Sequence, residues 1–111
     1  MENINIRYGE SVTMPLDSGD TTAVSAVLYI GKPGELYKIS KTIALTSGEG
    51  TFVLDPEDTR VPLGTYYYQV NVIDDEGGIE KYPSPDCHNC TEVAFPKFIV
   101  SEALDETEVV S

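Results

Sequence analysis

The chain has 111 residues, 19 of them acidic and 7 basic, for a formal charge of −12. That length fits one domain with one core, and that charge argues against binders of nucleic-acid backbones or anionic membranes, which need clustered Lys and Arg. No apolar run approaches the ~18 residues of a spanning helix. The start, Met-Glu-Asn-Ile-Asn-Ile, has no basic segment ahead of an apolar one, so no signal peptide and a cytoplasmic site of synthesis are expected.

Alternation of apolar and polar residues dominates the chain, and it predicts strands. In 11–16 the apolar line is Val12, Met14 and Leu16; in 21–31 it is Val24, Ala26, Leu28 and Ile30. In 36–45, Tyr37, Ile39, Ile43 and Leu45 share a parity with Lys41, so either a bulge shifts the register there or Lys41 snorkels at a sheet edge. Phe52 and Leu54 mark a short strand at 51–54. The segment 55–60, DPEDTR, predicts one short helical turn with Asp55 as N-cap and Pro56 in the first helical position. The clearest strand is 64–73. Tyr66, Tyr68, Val70 and Val72 line one face, and Thr65, Tyr67, Gln69 and Asn71 line the other, with Ile73 also on this outward parity. A strand at 78–82 follows.

The last strand, within 93–104, is apolar on both parities: Phe98 and Val100 on one face, Phe95 and Ile99 on the other. Pro96 bars a fully paired central position. One face joins the core, and the other needs cover from a loop or another chain. Turn signals at 17–20, 31–35, 47–50 and 74–78 separate the runs. About seven strands with such spacing predict an all-β fold, a single antiparallel sandwich over 1–101 with an acidic tail over 102–111.

The stretch DPEDTRVPLGTYYYQVNVIDDEGGIEKYPSP with the later FPKFIVSEAL resembles the immunoglobulin-like β-sandwich modules of tailed-bacteriophage virion proteins: capsid decoration proteins, head fibres, and baseplate or tail-fibre adaptors. The upstream ESVTMPL and VSAVLYIGKPGE resemble their first two strands, so the likeness covers nearly the whole chain. The general immunoglobulin pattern has Asp where this chain has Pro62. Its core disulfide and Trp are absent, since there is no Trp and both cysteines sit in one segment. Independently of any family, Gly64 permits a sharp strand entry. Tyr66 can then bury its ring and return its hydroxyl to a loop backbone, a tyrosine corner.

The segment KYPSPDCHNC, 81–90, holds both cysteines and the only histidine. Cys87 and Cys90 have a metal-ligand spacing, but a structural zinc takes four ligands, and no second CxxC or His pair exists. Only a site shared between symmetry-related chains would supply them. A redox CxxC belongs in a βαβ pattern that is absent here. A loop disulfide between Cys87 and Cys90, or two free thiols, are the remaining readings. The acids at 55–58 and 74–76 match no EF-hand spacing and read as solvated turns. No G-x-S-x-G occurs, and His88 has only distant serines for a nucleophile pair. No enzyme activity and no cofactor are expected.

The resemblance implies a virion structural protein assembled in the host cytoplasm, foremost a capsid decoration or cement protein on the head exterior. Its partners would be the major capsid protein or tail proteins, with homo-oligomeric or lattice-bound copies, and neither nucleic acid nor membrane. The residues expected at the partner contact are Tyr67, Ile73, Phe95, Phe98, Ile99, Leu104, Val109 and Val110. A baseplate, neck or tail-fibre adaptor is the alternative. A module for host-surface carbohydrate, using tyrosines such as Tyr37 and Tyr82, is a third reading.

Overall fold

The computed structural model describes residues 3–32, 34–82 and 95–105. Eight strands run through them, with no helix among them: β1 (Ile4–Arg7), β2 (Val12–Asp17), β3 (Ala23–Gly31), β4 (Ile39–Ala44), β5 (Glu49–Leu54), β6 (Gly64–Asp74), β7 (Ile79–Tyr82) and β8 (Lys97–Ser101). The large sheet has the order β1-β8-β6-β3-β4, with β7 also on β6; β2 and β5 form a second sheet. The fold is therefore the all-β sandwich that the alternation predicts.

Period-2 patterning builds the core. Ala26, Leu28 and Ile30 of β3, Tyr66, Tyr68, Val70 and Val72 of β6, and Phe98 and Val100 of β8 are all buried on the inner face of the large sheet. Phe52 and Leu54 of β5 close onto them, at 1% and 0% exposure. Val12, Met14 and Leu16 of β2 pack against this core while only partly buried. Full burial of a side chain of this size contributes roughly 1.5–3 kcal/mol, so the core rests chiefly on the large sheet and β5.

Three expectations are corrected. First, β1 pairs in parallel with β8, Ile4 opposite Phe98 and Ile6 opposite Val100, so the sandwich is not purely antiparallel and has one strand more than expected. Ile4, Ile6 and Tyr8 carried the signal, an alternation only five residues long. Second, a register shift between Ala23 and Ser25 puts Ala23 in the core and leaves Val24 47% exposed. A bulge flips the parity of whatever precedes it. Third, β4 starts at Ile39, so Tyr37 is no part of its inward line. Lys41 keeps the inward parity with no bulge in the β3–β4 register, at the edge of the large sheet.

Residues 56–59 form a turn, not a helix. The Asp58 N–H donates to the Asp55 carbonyl, and the Asp58 carboxylate accepts from the Asp55 N–H at 2.8 Å. The side chain thus reaches back, whereas Asp55 was expected to cap forward. Thr59, at 0% exposure, donates its hydroxyl to the Glu10 carbonyl at 2.9 Å and ties this turn to the β1–β2 link.

β7 and β8 lie end to end on the same side of β6. Tyr82 stands opposite Val70 and Lys97 opposite Tyr67, so only Tyr68 and Gln69 separate the two pairings on β6. The Tyr68 N–H donates to the Pro96 carbonyl at 3.1 Å. Pro96 serves there as an acceptor, and its missing N–H is not needed. The chain between Tyr82 and Phe95, with Cys87, His88 and Cys90, lies outside the described residues, as do Val109 and Val110.

Candidate functional site

The outer face of the large sheet is built from the residues between the core positions. Register sets Ser25 opposite Ile73 and Ile73 opposite Ile79; Tyr29 stands opposite Gln69, Gly31 opposite Tyr67, and Thr65 opposite Ile99. Tyr67, Ile73, Phe95 and Ile99 are half-buried on this side, and Ile79 is 59% exposed. Four of the residues expected at a partner contact thus share one sheet face. Phe98 does not: it is 0% exposed in the core, because its parity on β8 is that of Val100. It drops out of the contact set. Leu104 is wholly exposed beyond β8, while its neighbour Ala103 packs against the core.

One end of this face is concave. A cleft of about 210 Å³ is lined by Tyr29, Tyr37, Tyr67, Phe95, Glu35, Lys32 and Gln69 among others. The Tyr29 and Tyr37 rings meet at a centroid distance of 5.0 Å and are inclined by 57°. Gly31 makes that possible. A Cβ on Gly31 would stand 2.7 Å from the Tyr37 Cα, so only a residue without a side chain lets the loop fold back. The Glu35 N–H donates to the Lys32 carbonyl, and the Lys38 N–H returns to the Ile30 carbonyl at 2.7 Å. Gln69 donates to the Asn71 side-chain oxygen at 2.7 Å, which orients both amides on the outer face. The Lys32 ammonium lies 5.4 Å from the centroid of the Tyr66 ring.

A second hollow, of about 550 Å³, opens between the free edge of β2 and the inner side of the large sheet. Ile4, Met14, Leu16, Phe52, Tyr68, Val70 and Tyr82 contribute to its wall. Tyr82 donates its hydroxyl to Glu80 at 2.6 Å. That hydrogen bond, then partial burial, then the Glu80 and Asp20 charges raise the phenol pKa above its usual value. Tyr37 and Tyr82, expected together at a carbohydrate site, stand on opposite faces of the large sheet.

Tyr66 buries its ring at 2% exposure and donates its hydroxyl to the Pro62 carbonyl at 2.7 Å. Gly64 has φ of +144°, a conformation reserved for glycine, at the entry to β6. The turn acids are occupied by their own backbones. Asp74 accepts from the N–H groups of Glu76 and Gly78, and Asp20 accepts from the Thr22 hydroxyl and N–H. The Thr22 hydroxyl, then its N–H, hold Asp20 below the usual carboxylate range against a small opposing effect of burial. Among the described residues no group of three or more His, Cys, Asp or Glu could hold a metal.

Sequence reasoning missed Tyr29 and Glu35 as partners of Tyr37 and Tyr67. The signal was there for Tyr29, which has the outward parity of β3 two residues before Gly31. Comparison with protein-family models, curated proteins and solved structures finds no match to this chain.

Proposed function

We propose that the chain is a structural module of a tailed-phage virion, an immunoglobulin-like sandwich that docks on the head exterior as a decoration protein. The observation that carries this reading is the outer face of the large sheet. There Tyr67, Ile73, Phe95 and Ile99, with the exposed Ile79, put apolar side chains on one side of a chain of formal charge −12. They form two apolar groups, Tyr67 with Phe95 and Ile99 and, beyond Gln69 and Asn71, Ile73 with Ile79, and apolar groups rimmed by polar residues mark interaction sites. The distribution of strands supports the immunoglobulin-like part: β2 and β5 in one sheet, β3, β4, β6 and β8 in the other, as strands B and E face C, C′, F and G in variable-type domains. Each copy would bind weakly, and a regular shell would add avidity. The acidic remainder would keep particles apart. The reading assigns no catalytic role.

The test is attachment. Purified particles lacking the protein would be incubated with the wild type or with Ile73→Asp/Ile79→Asp, and bound copies counted. The double variant should keep the near-ultraviolet circular dichroism of the wild type and lose attachment. Attachment equal to wild type would remove the reading. A count in the hundreds assigns the head; a count of about three to twelve assigns a baseplate, neck or fibre position and corrects the head assignment.

A further inference from the structure

We propose that the cleft formed by Tyr29, Tyr37, Tyr67 and Phe95 is a binding site for a phosphocholine-type zwitterion. Its trimethylammonium group would sit among the rings beside Glu35, and its phosphate would face Lys32. This goes beyond particle docking, because it concerns a small ligand and one end of the outer face only.

The ring arrangement is the first argument. Aromatic side chains from β3, the β3–β4 loop, β6 and the residues before β8 converge on one cleft. Tyr29 and Tyr37 are inclined by 57°, so they make a corner and not a flat platform. A pyranose stacks best on one open flat ring. A quaternary ammonium gains from several ring faces around one point, where the negative π faces attract the charge. Methylation matters too, since a bare ammonium is held strongly by water.

Charge is the second argument. Glu35 and Lys32 both line the cleft, three positions apart on one tight turn. They set one acidic and one basic residue at the same cleft, the complement of a zwitterion once the Lys32 ammonium swings across to the phosphate. The ammonium of Lys32 rests over the Tyr66 ring, a contact that an exposed lysine exchanges easily.

The third argument is preorganisation. The close approach at Gly31 fixes the backbone of Tyr37 beside Tyr29 before any ligand arrives, so little ordering cost falls on binding. A cleft of about 210 Å³ suits a headgroup and not a drug-sized molecule.

Titration of the full chain with phosphocholine, followed by amide chemical shifts, tests this. Shifts should saturate at Tyr29, Gly31, Tyr37 and Tyr67, with affinity at least about tenfold above that for dimethylbutanol, the neutral carbon isostere of choline. Tyr37→Ala, at a half-exposed position, should weaken phosphocholine at least tenfold. Glu35→Gln should weaken both phosphocholine and choline, and Lys32→Ala should weaken phosphocholine while sparing choline. Co-sedimentation with phosphatidylcholine vesicles assigns the headgroup to a lipid; binding of soluble phosphocholine alone assigns it to a lipid-free source. Equal affinity for the neutral isostere, equal affinity for choline and phosphocholine in the wild type, or cleft shifts with a saccharide and none with phosphocholine would each overturn the proposal.

Discussion

The Lys41 ammonium lies 2.8 Å from a carboxylate oxygen of Asp58. This pair ties β4, the last strand of the large sheet, to the turn that carries the chain from β5 back into β6. Lysine at an edge also blocks edge-to-edge pairing with another sheet, so one residue serves both purposes.

The pair sets a pH dependence whose sign follows from the two shifts. Partial burial pushes the Asp58 pKa up, but the Lys41 hydrogen bond, the Asp55 N–H and the Lys41 charge together bring it below the usual value. Its contribution to stability is therefore present above the unfolded carboxylate pKa and is lost as pH falls through the folded one. The Asp58 hydrogen bond, outweighing slight desolvation, raises the Lys41 pKa. Its contribution is present below the unfolded lysine pKa and is lost as pH rises through the folded one. Thermal unfolding of Lys41→Met against wild type should show the largest gap near neutral pH, closing at both extremes. A gap constant across pH would contradict the pairing.

Tyr66 separates ring from hydroxyl. Tyr66→Ala should cost about 3–5 kcal/mol in urea unfolding, because the ring is buried in the core. Tyr66→Phe should cost about 0.5–1.5 kcal/mol, the net worth of a hydrogen bond to the Pro62 carbonyl. A loss under about 1 kcal/mol for the alanine variant would place the ring outside the core.

Ser47 and Gly48 form a two-residue hairpin turn. Their φ angles are 52° and 77°, and Thr46 and Glu49 exchange N–H donors across it. Both central residues at positive φ define a type I′ turn, which favours Asn-Gly. A Cβ on Gly48 would collide with the Asp20 carbonyl oxygen. Gly48→Ala should therefore destabilise by about 1–3 kcal/mol, while Ser47→Asn should leave stability equal or higher. The urea midpoints of the two variants should move in these directions.

The parallel β1–β8 pairing makes the N-terminal strand part of the core. Ile6, opposite Val100 and 6% exposed, should cost about 2–4 kcal/mol when cut to alanine. A free-energy change near zero would mean that β1 frays without consequence.

Much of the fold was legible in the chain because the side-chain period of a strand is local. Tyr66, Tyr68, Val70 and Val72 announce their common face without reference to anything distant, and they are buried together. The short Ile4–Ile6 alternation was too brief to stand out. What makes it a strand is β8, whose Phe98 is 94 residues from its partner Ile4 in sequence and adjacent only after folding.

The candidate site was legible only in part, for the same reason. Outward parity picked out Tyr67 and Ile73, and the two-sided apolar pattern of the last strand picked out Phe95 and Ile99. It also offered Phe98, because parity alone does not say which of two apolar faces meets the core.

By itself, then, the sequence determined the class of structure, the inward face of each long strand, the punctuating turns and the charge of the surface. These depend on the backbone's own geometry and on composition. Tertiary structure alone decided which strands became neighbours, that Val24 leaves the core at a bulge, and that Lys41 finds Asp58. It also decided that Tyr37 folds back over Gly31 to meet Tyr29. Strand pairing within the large sheet, the meeting of β4 with the β5–β6 turn and the close backbone approach at Gly31 set these relationships, and spacing along the chain does not specify them.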